Sequence, residues 1–273
     1  MKERKARAGS AKKEKEHSVY FYTMLSVIGV LSFLFFWQML VATGMVLPRY
    51  LAPPTRVIVT FFDKLTNPNP DGSTLPVNIL VSLQVSLSGF IAAVVLGIPL
   101  GLLMGWYKGI DKFIRPVFEL LRPIPPVAWI PLTIIWFGIG LSAKAFIIFF
   151  SAFVPCVINA YTGIRMANQV FIDVAKTFGA SNLRTFMRVG VPSSLPMVFA
   201  GIRIALANSW TTLVAAEMLA ANAGLGFMIL MGRQFVRPDI IILGMLVIGV
   251  IGVILTFALS KVENRLVGWR AGR

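Results

Sequence analysis

The sequence lacks the residues on which enzymes and metal sites usually depend. It contains one cysteine (Cys156) and one histidine (His17), so an intramolecular disulfide and a cysteine-based metal site are excluded. Neither the phosphate-binding sequence Gly-x-x-x-x-Gly-Lys-Ser/Thr nor the hydrolase sequences His-Glu-x-x-His and Gly-x-Ser-x-Gly occurs. No cluster of acids suits Mg²⁺. We therefore expect a non-enzyme with no catalytic residue, no metal and no cofactor.

Charged residues are also scarce. They make up 14% of the chain against 57% hydrophobic residues, and the mean hydropathy is +0.79. A soluble domain has about a quarter charged residues. This composition predicts an all-α, polytopic membrane protein with one domain. The net charge of +15 does not indicate nucleic-acid binding, because the basic residues crowd the first 18 positions and flank apolar runs, as topology signals and anionic-lipid contacts do.

Six apolar runs predict six transmembrane helices. Residues 1–18 are expected to be a basic cytoplasmic tail, disordered or on the lipid surface, 19–260 the membrane domain, and 261–273 a second cytoplasmic tail. The first run resembles a signal peptide, but it is longer and further spans follow, so we expect a retained anchor. The predicted spans are Val19–Val41, Ile79–Met104, a proline-rich span ending near Leu141, Ala145–Ile164, Leu195–Leu219 and Ile240–Leu259.

The remaining segments carry weaker signals. Thr55–Leu65 predicts a short helix in or near the outer interface, and the loop Ala220–Asp239 contains a stretch that could re-enter the membrane surface. Gly97, Gly101 and Gly105 recur at intervals of four, which would let another helix approach closely. Pro99 lies within this row and is expected to bend the second span.

The distribution of lysine and arginine predicts the orientation. If the N-terminus is cytoplasmic, 19 of these residues lie on the cytoplasmic side and 6 outside. Cytoplasmic loops carry an excess of Lys and Arg. We therefore predict that both termini are cytoplasmic, as is the polar segment at about 165–194 between the fourth and fifth spans.

The third span is a candidate lining of a translocation path. Pro125, Pro126 and Pro131 lie with Pro123 within nine residues, around Trp129, which excludes one continuous helix. Broken backbone in a bilayer is tolerated only where protein buries it or a wet cavity meets it. A simple kinked helix is the alternative.

Glu217 is the best intramembrane ionisable candidate. It lies toward the outer end of the fifth span, where we expect water to reach it. It is either a gate or path residue, or a carboxylate that pairs with Arg233 or Arg237 or bonds to neighbouring backbone. Ion-coupled transporters usually carry ionisable or polar groups near the middle of the membrane, and one acid toward its edge does not meet that need. This favours an energy source on another chain, although an ion-coupled secondary transporter stays open as the alternative.

The polar segment from Phe171 to Pro196 predicts two short helices joined by a glycine turn. A helical pattern begins at Asp173–Ala175, and Gly179 can end it because glycine adopts positive φ without a Cβ penalty. Ser181 can cap a second helix, and Pro192 and Pro196 are expected to stop it. A rigid protrusion of this kind suits docking to a soluble partner.

This segment resembles the EAA loop of bacterial ATP-binding-cassette importer permeases, Glu-Ala-Ala-x₃-Gly-x₉-Ile-x-Leu-Pro. The second alanine, the glycine and the proline of that pattern match in register. The acidic position and the two aliphatic positions before the proline carry residues of like chemistry. Val174 departs from the pattern, since it replaces a smaller alanine and could alter how the first helix fits a partner's groove. The residues at the positions of the pattern are Asp173, Val174, Ala175, Gly179, Val189, Val191 and Pro192.

Other segments extend the resemblance from about Leu47 to Leu259. LRPIPPVAWIPLTIIWFGIG, GASNLRTFMRVGVPSSLP and GIRIALANSWTTLVAAEML are similar to permeases for nitrate, taurine, aliphatic sulfonates and bicarbonate. The resemblance implies a multi-pass permease of the bacterial inner membrane that handles a small anion such as a sulfonate, taurine or nitrate. A heterocyclic or vitamin-precursor substrate is the alternative.

The resemblance also implies the partners and the roles of the segment. Two cytoplasmic ATPase subunits would bind the two-helix segment, a solute-binding protein would deliver substrate from outside, and a second permease copy or close relative would complete the path. Phe178 and Phe186 would be apolar anchors for the ATPase. Arg184 and Arg188 would pair with its acids, unless they serve topology alone. The framework positions would be Asp173, Ala175, Gly179, Ala180 and Pro192.

Overall fold

The computed structural model describes residues 2–266, with the side chains of residues 21–265 apart from Ala220. Every regular element in this part of the chain is helical. A 3₁₀ turn, Pro126–Trp129, precedes α5, and a π turn, Phe186–Gly190, precedes α9. The helices are α1 Lys2–Ala42, α2 Pro54–Lys64, α3 Leu75–Trp106, α4 Lys108–Leu121, α5 Ile130–Phe137, α6 Leu141–Arg165, α7 Gln169–Thr177, α8 Asn182–Thr185, α9 Val191–Ala220, α10 Leu225–Gln234 and α11 Pro238–Leu266.

The expected six spans are present, with the third one broken. Five continuous stretches are long and apolar enough to cross a membrane, and Lys108–Leu121 with Pro126–Phe137 supplies a sixth, bent by 84°. We call the face that carries α7 and α8 the inner face, and the face that carries α2 and α10 the outer face. By the charge distribution, the inner face is the cytoplasmic one.

Helices α3, α6 and α9 form the centre of the structure. The glycine row of α3 packs on α6 as predicted, because a Cβ added at Gly97 would lie 2.9 Å from that of Cys156, and one at Gly101 would lie 2.9 Å from that of Ala160. Cys156 is buried as a small packing residue. Pro99 is accommodated within α3 without ending it.

Several boundaries differ from the prediction. Helix α1 begins at Lys2 and so includes the basic N-terminal segment, and α11 continues through the predicted tail as far as Leu266; residues 267–273 lie outside the described part. The basic segment after the second span forms α4, because its apolar residues recur at helical spacing on one face. That face is open, with Phe113 83% exposed.

Candidate functional site

Helix α7 and the turn after it form the first half of the two-helix segment, which we call the elbow (residues 169–190). The side chain of Asn168 caps α7 by accepting a hydrogen bond from a backbone N–H at 3.0 Å. At the other end Gly179 adopts φ +76°, and its N–H donates to the Lys176 carbonyl at 2.9 Å. The Ala180 N–H donates to the Ala175 carbonyl at 3.0 Å. This is the Schellman arrangement, and it confirms that Gly179 ends the first helix.

The second half of the elbow departs from the prediction. Ser181 caps it as expected, since its hydroxyl accepts a hydrogen bond from the Arg184 N–H. Pro192 and Pro196, however, do not end the helix. The chain continues from Asn182 to Leu219 as one span, so the elbow is built onto the inner end of the fifth span.

A widened turn explains why Pro192 is tolerated. The π turn Phe186–Gly190 lies directly before Pro192, and the Val191 N–H donates to the carbonyl of Phe186, five residues earlier. A proline ring clashes with the carbonyl four residues before it in a regular α-helix. The wider turn moves that carbonyl aside, so the helix passes Pro192 without a break.

Trp106, the last residue of α3, fixes the elbow to the membrane helices. Its indole N–H donates to Asn182 Oδ1 at 3.1 Å, and its ring lies 5.6 Å from that of Phe186. Gly190 leaves room for the indole, since a Cβ there would lie 2.8 Å from it. Phe186 is only 4% exposed and packs into a core cluster of α3, α6 and α9. The prediction for Phe186 is therefore corrected: it holds the elbow in place and offers no free apolar surface.

The outward face of the elbow combines exposed apolar side chains with cations. Phe178 is 87% exposed, and the basic side chains of Arg184 and Arg188 in the same elbow are also exposed. Neither arginine forms an ion pair with another residue of the described chain. Exposed apolar patches with polar residues around them mark interaction sites. The exposed apolar residues are Val170, Phe171, Val174, Phe178, Leu183 and Met187.

The break predicted in the third span is present, and the alternative of a single kinked helix is wrong. Pro125 lies in the non-helical stretch between α4 and the 3₁₀ turn, Pro126 begins that turn, and Pro131 lies in the first turn of α5. The Trp129 ring packs 5.0 Å from that of Phe150. Its indole N–H is buried and has no hydrogen-bond partner among the described residues.

A cavity of about 330 Å³ lies against this break. Arg122 and Pro126 contribute from the break itself, and α6 and α9 supply the opposite walls. The polar wall residues are Ser151, Asn208, Thr211 and Thr212, and the apolar ones are Ile124, Phe150, Val154 and Pro155.

A buried polar network organises the outer face. The three backbone N–H groups at the start of α10, residues 224–226, donate to Asn78 Oδ1, Ser82 Oγ and Glu217 Oε2 at 2.9, 2.8 and 2.9 Å. The Ser82 hydroxyl in turn donates to the Glu217 carboxylate at 2.8 Å. A carboxylate at a helix N-terminus is stabilised by the helix dipole. Helices α3 and α9 thus hold the end of α10 through side chains.

The same network reaches the loop after α2. The Asn78 amide donates to Asp71 Oδ2 at 2.7 Å, and Asp71 forms an ion pair with Lys64. Both side chains of this pair are at most 1% exposed. Lys64 also donates to the Ser73 carbonyl at 2.7 Å, so its charge is well satisfied. We call Lys64, Asp71, Asn78, Ser82 and Glu217 the outer network.

The structure corrects the expectation for Glu217. Its side chain is completely buried, so water does not reach it, and it pairs with neither Arg233 nor Arg237. Arg237 pairs instead with Asp239 at 2.7 Å. The alternative that neighbouring backbone bonds the carboxylate is confirmed by the Gly226 N–H.

Residues 97–268 match the model of the family described as binding-protein-dependent transport system inner membrane component. The chain belongs to this family. It is therefore a multi-pass permease of an ATP-binding-cassette (ABC) importer in the inner membrane.

Relatives and a solved structure agree with that assignment. The permease is 36% identical over 236 residues to the taurine transport system permease protein of Escherichia coli K12, covering 85% of each chain. It is 30% identical over 233 residues to a putative aliphatic sulfonates transport permease of the same organism, covering 85% and 87%. Its fold resembles a chain of the MetNI methionine ABC transporter in an inward-facing conformation, with a TM-score of 0.54, 19% identity and coverage of 69% and 94%.

The permease brings most of the predicted elbow residues together on one protrusion. Asp173 lies within α7, which begins earlier than predicted, at Gln169. The Gln169 side-chain amide donates to Asp173 Oδ1 at 2.9 Å. Val174, the departure from the family pattern, is 48% exposed and therefore lies on the accessible surface of the elbow. Sequence reasoning missed Trp106. The sequence does place Trp106 directly after the glycine row, at the inner end of α3. An aromatic residue there is a candidate anchor, because the elbow must contact the membrane helices near that end.

Proposed function

We propose that the elbow is the docking site through which a cytoplasmic ATPase subunit drives this permease. The observation that carries the proposal is an exposed apolar and cationic surface on a rigidly held helix pair. Phe178, Arg184 and Arg188 present that surface, while Phe186 and Trp106 hold it on the membrane helices. A non-enzymatic permease needs such a contact, because the energy of ATP hydrolysis must reach it from another chain.

The elbow is also suited to transmit movement. Its second helix continues without interruption into the fifth span, so a displacement of the elbow displaces α9 as a body. ATP binding would draw two elbows together and open the path outward, and hydrolysis would reset it. Binding of the ATPase must favour one of the two arrangements, or it would shift nothing. Residues 19–260 are proposed to form the moving membrane unit, between cytoplasmic tails 1–18 and 261–273.

Two further partners complete the proposed importer. A second copy of this chain would supply the other half of the path, and the open face of α4 around Phe113 fits such an interface. A solute-binding protein outside the cell would deliver the substrate to the outer face. The break at Pro125, Pro126 and Trp129 would line the path, with Pro131 at the start of α5.

For the substrate we propose a small organic sulfonate or a similar oxyanion. The names of the E. coli relatives, which concern taurine and aliphatic sulfonates, support this class. The polar cavity beside Arg122 provides a cation where such an anion would pass.

The substitution Gly179→Asp tests the docking role of the elbow. A Cβ at Gly179 would meet no atom of the chain within 4 Å, so a side chain there changes the surface more than the fold. Asn is the matched control, since Asn and Asp have the same size and both tolerate positive φ. We expect Gly179→Asp to insert normally but to lose copurification of the coexpressed ATPase and uptake, and Gly179→Asn to lose less. If Gly179→Asp retained both ATPase copurification and uptake, the proposal would be contradicted.

A further inference from the structure

We propose that the cavity beside the break of the third span is a binding site for a small oxyanion, in which Arg122, Asn208 and Thr212 provide the donors. The inference rests on the proposed function, because it assigns a binding site to the proposed substrate. It starts from the charge of the cavity, since Arg122 is the one charged residue among those that line it.

The Arg122 guanidinium is largely free to bind a ligand. Its single hydrogen bond within the described chain runs from Nη1 to Glu119 Oε2 at 3.4 Å, and both side chains are 48% exposed. An exposed pair at that distance is weak. The remaining N–H groups form the planar set of donors that suits carboxylate, sulfonate and phosphate oxygens.

Neutral donors complete the site from the opposite walls. Ser151 Oγ lies 2.8 Å from Thr212 Oγ1 and 3.3 Å from the Asn208 carbonyl oxygen. When the Ser151 proton is donated to Thr212 rather than to that carbonyl, the Thr212 proton is left for a ligand. The Asn208 side-chain amide has no hydrogen bond to another described residue. Thr211 is different, because its hydroxyl donates to helix carbonyls at 3.0 and 3.1 Å and has no proton left for an anion.

The position and size of the cavity favour a soluble anion. Ser151 lies about ten residues from the outer end of α6, roughly 15 Å along a helix that rises 1.5 Å per residue. This is about the middle of a hydrocarbon core of roughly 30 Å, too deep for a lipid headgroup. The volume of about 330 Å³ suits a molecule of few atoms, and the apolar wall of Phe150, Val154 and Pro155 suits a short carbon chain.

A second cavity, of about 220 Å³, shares Arg122 and lies toward the inner face. Its other cation, Arg115, is already paired with Asp111 at 2.8 Å and bonded to the Tyr161 hydroxyl, and Glu119 also lines it. An anion that passes inward beyond Arg122 thus meets less free positive charge. Binding is stronger on the outer side of Arg122 and weaker on the inner side, as release into the cytoplasm requires.

The test is uptake by proteoliposomes that contain the complete permease–ATPase complex with its binding protein. The probes are taurine, ethanesulfonate, nitrate and a neutral pyrimidine. We expect Arg122→Gln to lower oxyanion uptake at least tenfold and Arg122→Lys to retain part of it. Thr212→Val should lower uptake severalfold and Thr212→Ser should restore it. The control Arg233→Gln removes an exposed outer cation and should stay within twofold of wild type.

A further readout separates the possible failures. ATPase copurification should be unchanged in Arg122→Gln, which shows that the variant is folded and docked. Equal uptake of the oxyanions by Arg122→Gln and Arg233→Gln would overturn the site. So would a wild-type permease that transports the neutral pyrimidine but none of the oxyanions. In both cases the importer function would stand. Failure of the wild-type permease to bind an ATPase would instead contradict the proposed function.

Discussion

The two faces of this permease treat polar and apolar groups in opposite ways. At the outer face, Lys64, Asp71 and Glu217 are fully buried, and each has its hydrogen-bond or ion-pair partners within the chain. At the inner face, Phe178 and Arg188 are exposed, and the arginine has no ion pair in the described residues. The outer network satisfies its charged groups within the chain, whereas the inner face presents groups that a partner would cover.

This difference indicates which parts move together. Removing one partner from a buried, hydrogen-bonded charge is costly, so the outer ends of α3, α9 and α10 are locked into one body. The span from Asn182 to Leu219 joins that body to the elbow. A force applied at the elbow would therefore be carried to Glu217 near the far end of the same helix, and the outer network would move as a unit.

Replacing Glu217 by alanine is expected to have the largest effect on stability. The change leaves the Gly226 N–H and the Ser82 hydroxyl without their acceptor in a buried site. Each lost partner costs about 1–3 kcal/mol, so we expect a loss of roughly 2–5 kcal/mol. Thermal unfolding of the detergent-solubilised permease measures it.

Glu217→Gln is the control for this prediction. It keeps one acceptor oxygen of nearly the same position and should lose less stability than the alanine variant. An equal Tm for Glu217→Ala and wild type would show that the outer network does not lock the helices, and the contrast between the two faces would fail.

The fold was predictable because its signals are local. Six apolar runs, the proline-rich break and the glycine row at Gly97 and Gly101 are all visible in neighbouring residues. The prolines after the elbow were misjudged for a physical reason. A proline normally ends a helix, but one widened turn before Pro192 removes the clash, and no sequence rule marks where a π turn will form.

The buried groups were the least predictable part of the candidate sites. Glu217 was expected in water because only its place in the span was known, and its partners Ser82 and Gly226 come from two other helices. Phe186 was expected to be exposed, but it packs on Trp106, which is distant in sequence. Burial of this kind depends on how helices pack, and periodicity within one helix does not report it.

Trp106→Phe is expected to have an intermediate effect. The ring contact with Phe186 remains, but the hydrogen bond to Asn182 is lost. We expect about 1 kcal/mol of lost stability and a weaker response of ATP hydrolysis to substrate-loaded binding protein, because the elbow is held less firmly. Trp136→Phe is the control, since that side chain is 53% exposed on α5. If the two variants had the same stability and the same response of ATP hydrolysis, Trp106 would not be what holds the elbow on α3.

Phe178→Ala is expected to have the smallest effect on stability and a clear effect on binding. The ring is 87% exposed, so its removal takes almost no buried area from the folded chain, and the Tm should stay unchanged. A central aromatic anchor contributes more than about 1 kcal/mol to an interface, and about 1.4 kcal/mol would weaken ATPase binding tenfold. Phe235→Ala, which removes a ring that is 58% exposed at the outer face, should leave ATPase binding unchanged. If both variants bound the ATPase as tightly as wild type, Phe178 would not be an anchor, and the exposed apolar surface of the elbow would need another occupant.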